Sequence, residues 1–342
     1  MGFRAMANFI TSGLRALLHR RQVNLERSWA RDVRTLLGGG TIALLDVGAS
    51  GGIIPRWHPY RESIAFIGIE PDERSIPPLL NSPEAKVFKS YDIIPAGAWN
   101  RNGAVGISFT RKPMCSSHFA PNIPFLSRFP EVERFDIVGS SEVECRTIDD
   151  LLASSDKSVD FIKLDLEGGE LAVLEGGVNI LESCLGLHVE VSFQSIREGQ
   201  PLFGDVAKFL QQRGIEFIDF ISLFRWERNS FNGLGQAIFS DALFLRGPES
   251  LVDLSGGDFL TPRRARSYLA ILMIYERFDL ALRFLDLLEA KNVVLSRSDI
   301  KGIAAVLGRR KASFDRRYRF VSMLGRMFSR YAGQNYSLHY IY

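Results

Sequence analysis

The strongest constraint on the fold of this chain is a series of continuous apolar runs separated by helical patterns. The first three are Thr41–Val47, Ser63–Glu70 and Ala85–Ile94. Ser158–Leu166 and Gly186–Phe193 follow, and Ile215–Ile221 and Gln236–Arg246 are the last. Strands of a parallel sheet are buried on both faces, so they read as unbroken apolar stretches. Between them, Leu171, Val173, Leu174 and Val178 share a helical face, and Leu202–Gln212 reads as a helix closed by Gly214. This alternation predicts an α/β fold, a Rossmann-like doubly wound sheet of about seven strands. Residues 95–146 form an insertion. There Asn102-Gly103, between Ala98-Trp99 and Val105–Phe109, is a two-residue hairpin signal, and Val143–Arg146 is a short strand.

Outside the alternating region the pattern changes. Hydrophobic residues make up 46% of the chain and charged residues 24%, which excludes extended disorder. The formal net charge of +3 conceals a split. Residues 1–35 carry seven Arg against two acids, and residues 291–342 carry eleven Lys or Arg against two, leaving an acidic body. Phe3, Met6, Ile10, Leu14 and Leu17 recur at helical spacing, and residues 262–290 and 299–331 read as helices. Three parts are expected: a basic amphipathic helix in 1–35, a central domain in 36–250 and a basic helical extension in 251–342. The basic ends either dock on an anionic membrane surface or pack against the acidic body. Three cysteines without a CxxC spacing, no long apolar span and no signal core point to the cytoplasm, with peripheral contact at the inner membrane face left open.

Asp46-Val-Gly-Ala-Ser-Gly-Gly52 follows the first buried run and is expected to open a helix. Glycines allow a sharp turn and a close approach to a ligand. The spacing is not the GxGxxG of dinucleotide enzymes, and an acid inside the strand end repels a pyrophosphate. That argues against an NAD-dependent oxidoreductase. Glu70 ends the second run, where a carboxylate can accept both hydroxyls of a ribose. A ligand with an amino group, a sulfonium and a ribose but no phosphate fits this rim. The expected cofactor is S-adenosylmethionine, held by Asp46, Gly48, Ser50, Gly52, Glu70, Pro71 and Asp72.

Three later stretches carry a family resemblance. They are Cys115-Ser-Ser-His-Phe-Ala-Pro-Asn122, Glu144-Cys-Arg-Thr-Ile-Asp-Asp150 and Phe161-Ile-Lys-Leu-Asp-Leu-Glu-Gly-Gly-Glu170. With the glycine loop and Phe66-Ile-Gly-Ile-Glu-Pro-Asp72, they resemble the FkbM family of S-adenosylmethionine-dependent methyltransferases over about residues 41–250. The resemblance implies a class I O-methyltransferase fold acting on sugar hydroxyls of surface glycans or on hydroxyls of secondary metabolites. Ser50 stands where the family's first motif usually has Asn.

Methyl transfer to a hydroxyl needs positioning and a general base. Asp165 and Glu167 lie at the carboxyl end of a core run, on one side of it with Lys163. Glu190 sits in the next run between His188 and Ser192. A carboxylate there is costly unless it is paired or functional. The expected reacting groups are therefore Asp165, Glu167, Glu190 and His188, though a satisfied core imidazole also explains His188. Ser116, Ser117, Asn122 and Lys163 are candidates for holding the acceptor. Turn formation also explains the first three, and an ion pair to the acids explains Lys163. Trp99 either stacks on adenine or packs in the core. Thr147 and Asp150 fit a helix capping box. A divalent cation between Asp165 and Glu190 is compatible with these residue types, but their ligand set is incomplete and no metal is predicted.

The expected activity is O-methylation of a sugar or surface glycan. O-methylation of a polyketide or other secondary metabolite, or S-adenosylmethionine binding without catalysis, are the alternatives. The partner is a small-molecule or glycan acceptor. No nucleic acid is expected, because no Asn/Asp-Pro-Pro-aromatic motif follows the fourth core strand.

Overall fold

The computed structural model describes residues 24, 26–153, 158–229, 235–254, 259–292 and 294–332. The amphipathic pattern at Phe3–Leu17 lies outside them.

A first helix, α1 (26–37), buries Trp29, Val33, Leu36 and Leu37. Strands β1 (Ile42–Val47), β2 (Ile64–Ile69) and β3 (Ser90–Ile94) follow, with α2 (Ile76–Leu80) between the last two. A smaller unit then leaves the sheet: β4 (Gly97–Ala98), β5 (Gly103–Thr110), α3 (Ile123–Leu126) and β6 (Ile137–Arg146). The chain returns through α4 (Ile148–Leu152) to β7 (Phe161–Leu164), α5 (Glu170–Glu175), α6 (Val178–Ser183), β8 (Gly186–Ser192) and α7 (Phe203–Gln211). It closes the sheet with β9 (Ile215–Trp226) and β10 (Gln236–Arg246). Helices α8 (Pro248–Asp253), α9 (Pro262–Ile274), α10 (Phe278–Lys291) and α11 (Arg297–Ala332) end the described chain.

The seven strands run in the order β3-β2-β1-β7-β8-β10-β9, with β10 antiparallel to both neighbours and the other pairings parallel. Alternation along each strand divides the core in two. Ile42, Leu44, Ile64, Phe66 and Phe161 face one layer, which is filled by α1, α9, α10 and the start of α11. Leu45, Val47, Ile67, Ile69, Ile162 and Leu164 face the other, filled by α4 to α7. Basic residues of the C-terminal region join this body: Arg263 pairs with Asp160, Arg277 with Asp219 and Arg310 with Asp32, and Arg266 donates to the Leu36 carbonyl.

Three local readings change. The Asn102-Gly103 signal does not join β4 to β5. β6 lies between them, parallel to β4 and antiparallel to β5, giving a three-stranded sheet β4-β6-β5. Asn102 is held elsewhere: its amide donates to Asp150 and its carbonyl accepts from the Thr147 N–H. The short strand expected at Val143–Arg146 is the end of a ten-residue strand. The glycine loop leads into a 3-10 helix at Pro55–Ser63 rather than an α-helix, and Pro59 within it has no N–H for α-helical bonding.

Candidate active site

Two loops meet where the order of crossings reverses, between β1 and β7, the place where open α/β sheets bind ligands. Gly48, just past β1, has φ +83°, and a Cβ there would lie 2.3 Å from the carbonyl oxygen of Asp165 just past β7. Only glycine permits that approach.

Asp46 and Lys163 are register partners on adjacent strands, facing the α9–α10 layer. The Lys163 Nζ lies 3.2 Å from Asp46 and 3.6 Å from Asp165, and it donates to the Gly48 carbonyl at 3.3 Å. Burial lifts the Asp46 carboxyl to about 6, against the lowering pull of Lys163. Burial lowers the Lys163 ammonium, but the two carboxylates outweigh that and leave it above its ordinary value. Asp46 therefore braces the glycine loop from beneath rather than forming an open acidic rim, and Lys163 takes the ion-pair role anticipated for it.

Glu70 ends β2, largely buried, and accepts from the Asp72 N–H at 2.8 Å. Burial raises its carboxyl. Asp72 itself pairs with Arg74 on the surface. A cavity of about 530 Å³, including its open mouth, lies beside these loops. Val47, Gly48, Ile69, Pro71 and Leu166 line it from the main sheet. Gly97, Ala98, Trp99, Val105, Ile107, Ser116, Ser117 and His118 line it from the insertion. Trp99 packs edge-on against His118 with ring centroids 4.8 Å apart, so it is at once a packing residue and a cavity wall.

The acids themselves do not line this cavity, but Leu166, between Asp165 and Glu167 in the chain, does. Carboxylate oxygens of Asp165, Glu167 and Glu190 all fall within 4.8 Å of one another. Glu167 has φ +56°, an uncommon conformation for a non-glycine residue. Arg197 donates to its carboxylate, and Ser117 donates to its carbonyl at 2.7 Å. Burial lifts Glu167 to about 7 even with Arg197 beside it. Glu190 is pushed well above the usual range, first by burial and then by Asp165 and Glu167. Glu170 accepts from the Leu166 and Gly168 N–H groups and shapes this loop.

Two candidates have other partners. His188 Nδ1 lies 3.1 Å from the Tyr275 hydroxyl and Nε2 3.5 Å from Asp241, so both ring nitrogens are engaged as in a satisfied core imidazole. Trp57 donates to the same hydroxyl at 3.2 Å. Asn122 caps α3 by accepting from the Phe125 N–H and donates to the Ser195 carbonyl, outside the cavity wall. Thr147 accepts from the Asp150 N–H, and Asp149 receives the N–H groups of Asn179 and Ile180. The Arg-Thr-Ile-Asp-Asp stretch is therefore structural. Arg197 was not marked by any motif. It is a 2% exposed arginine whose reason is a carboxylate 30 positions earlier.

Residues 46–217, half of the chain, match the family described as the methyltransferase FkbM domain. The chain belongs to the FkbM methyltransferase family. No curated protein matches it. Among solved structures it is similar to the methyltransferase FkbM from Methylobacillus flagellatus KT, with 17% identity and a TM-score of 0.36. That likeness covers 60% of this chain and 43% of the other, so this chain spans less than half of that protein. Magnesium protoporphyrin IX methyltransferase from Synechocystis PCC 6803, with bound S-adenosylmethionine, shows 9% identity, a TM-score of 0.34 and coverage of 67% and 79%. A SAM-dependent methyltransferase from Aquifex aeolicus shows 14% identity, a TM-score of 0.30 and coverage of 63% and 89%.

This chain thus carries an FkbM methyltransferase domain, and S-adenosylmethionine is the cofactor expected of it. Its own residues fit that cofactor. The Gly48 turn leaves no Cβ over the strand ends, Glu70 offers a carboxylate beside the cavity, and Pro71 and Trp99 provide apolar wall. When bound, the cofactor supplies an electrophilic methyl on sulfur. Among the described residues, no helix is long and apolar enough to cross a membrane.

Proposed function

We propose that this enzyme methylates a hydroxyl of a sugar or glycan. Three carboxylates converging beside the cofactor cavity carry the reading. Carboxylates accept hydrogen bonds from hydroxyl groups, and a polyol presents several at once. In the transfer the sulfur–methyl bond breaks as the oxygen–methyl bond forms, the sulfonium becomes a neutral thioether, and the hydroxyl proton leaves. Burial lifts the Glu167 carboxyl to about 7, so Glu167 is suited to take up that proton. Ser116, Ser117 and His118 add polar groups on the facing wall.

The test is incubation of the full-length protein with S-adenosylmethionine and panels of free, nucleotide-linked and lipid-linked sugars, reading S-adenosylhomocysteine and the methylated product by mass spectrometry. Methylated sugar is expected. Turnover with only amine, carbon or polyketide acceptors overturns the assignment, and so does cofactor binding without turnover on any acceptor.

A further inference from the structure

The geometry points to a binding site for a hard divalent cation of the Mg²⁺ class, held by Asp165, Glu167 and Glu190. Opposite oxygens around an ion with metal–oxygen distances of about 2.1–2.4 Å stand about 4.2–4.8 Å apart. The three carboxylates each bring an oxygen inside that limit. Asp165, just past β7, and Glu190, within β8, lie on adjacent strands whose pairing sets their separation, and Arg197 holds Glu167 in the loop beyond.

Glu190 supplies a separate observation. It is largely buried on the core side of the cluster, and no hydrogen bond or ion pair reaches its carboxylate among the described residues. Its neighbours in the cluster do have partners: Lys163 stands 3.6 Å from Asp165, and Arg197 holds Glu167. A buried carboxylate aimed at two others and lacking a donor is costly unless a cation completes it.

Charge leads to the same place. Asp46, Asp165, Glu167 and Glu190 are four carboxylates sharing two cations, Lys163 and Arg197. An all-oxygen set selects Mg²⁺, Mn²⁺ or Ca²⁺ over the softer metals. Asp165 is 42% exposed, leaving a side open to water or an acceptor oxygen. That this oxygen is the hydroxyl to be methylated rests on the proposed function, whereas the binding of the ion does not.

Mn²⁺ serves as the probe. Electron paramagnetic resonance of the full-length protein titrated with MnCl₂ should show one ion bound per chain, displaced by excess Mg²⁺. Asp165→Asn and Glu190→Gln should each weaken it about tenfold or more. Calorimetry with S-adenosylmethionine, expected to change by less than about threefold in these variants, establishes that each still folds. A free Mn²⁺ signal undiminished by wild-type protein overturns the site, as does binding that both variants retain at full strength. Mn²⁺ binding without turnover on any hydroxyl acceptor sustains the site and sinks the O-methylation reading alone.

Discussion

Arg197 closes on Glu167 from the loop after β8, joining its carboxylate and the Cys115 carbonyl with one guanidinium nitrogen. It thereby ties the insertion to the loop after β7 at a residue whose backbone sits at φ +56°. Arg197→Ala leaves a buried carboxylate without its cation, a change that costs about 3–5 kcal/mol. The expected result is a lower unfolding midpoint in urea and a fall of about 100-fold in kcat, with S-adenosylmethionine affinity shifting only a few-fold. Arg197→Lys restores charge without the planar reach and should fall between the two. Equal reductions in kcat and cofactor affinity would show that Arg197 supports the whole domain rather than Glu167.

Glu70 gives a prediction confined to the cofactor. A carboxylate accepting from ribose hydroxyls contributes about 1.5–3 kcal/mol. Glu70→Ala should therefore weaken S-adenosylmethionine binding about 10- to 100-fold in calorimetry. Stability should fall by no more than about 1–3 kcal/mol, the cost of leaving the Asp72 N–H without its acceptor. Unchanged affinity would remove Glu70 from the cofactor site.

Gly48→Ala is expected to be severe. The new Cβ would meet the Asp165 carbonyl at 2.3 Å, in a backbone conformation of φ +83° that disfavours side chains. A cost of about 3 kcal/mol or more is expected, with loss of cofactor binding. Gly51→Ala, where a Cβ meets nothing within 4 Å, is the matched control and should remain near wild type. Differential scanning calorimetry of the two separates steric crowding from any general sensitivity of the loop.

Asp46 predicts a pH dependence of stability. Its folded carboxyl titrates at about 6 because burial penalises the charge, with Lys163 opposing and Asp165 and Glu70 adding repulsion. The unfolded carboxyl titrates at about 3.9. Below pH 4 both states are protonated. Between pH 4 and 6 only the unfolded state ionises, so this group's contribution falls as pH rises and levels off above 6. At about 1.4 kcal/mol per unit the change amounts to about 3 kcal/mol at most. Asp46→Asn lacks this titration. The stability of wild type minus that of the variant, measured by chemical denaturation, should decline across pH 4–6. A difference that rises with pH would reverse the assignment.

The acids near the strand ends were legible in the amino acids because their rules are local. Asp46 and Glu70 end strands buried on both faces, so apolar runs with acidic ends marked them. Asp165 stood out for the same reason, and Glu190 as a carboxylate inside an apolar run. The small sheet was harder to read. The turn preference of Asn102-Gly103 is real, but the Asn102 side chain is taken by Asp150 and Thr147, and β4 finds its partner in β6. His188 reads as a base until Asp241 and Tyr275, distant in the chain, occupy both its nitrogens. Arg197 lay in a stretch with no periodic signal at all. Such roles are set by pairings across the fold, and nothing beside them in the chain announces them.

The β4-β6-β5 sheet supplies the cavity wall from Gly97 to His118 as one uninterrupted excursion, leaving after β3 and rejoining ahead of β7. The wall opposite belongs to the strands that brace the glycine loop. Two separate lengths of chain thus wall a single cavity. A graft of residues 97–146 between relatives would exchange one wall of the cavity while the strands beneath the glycine loop kept their register.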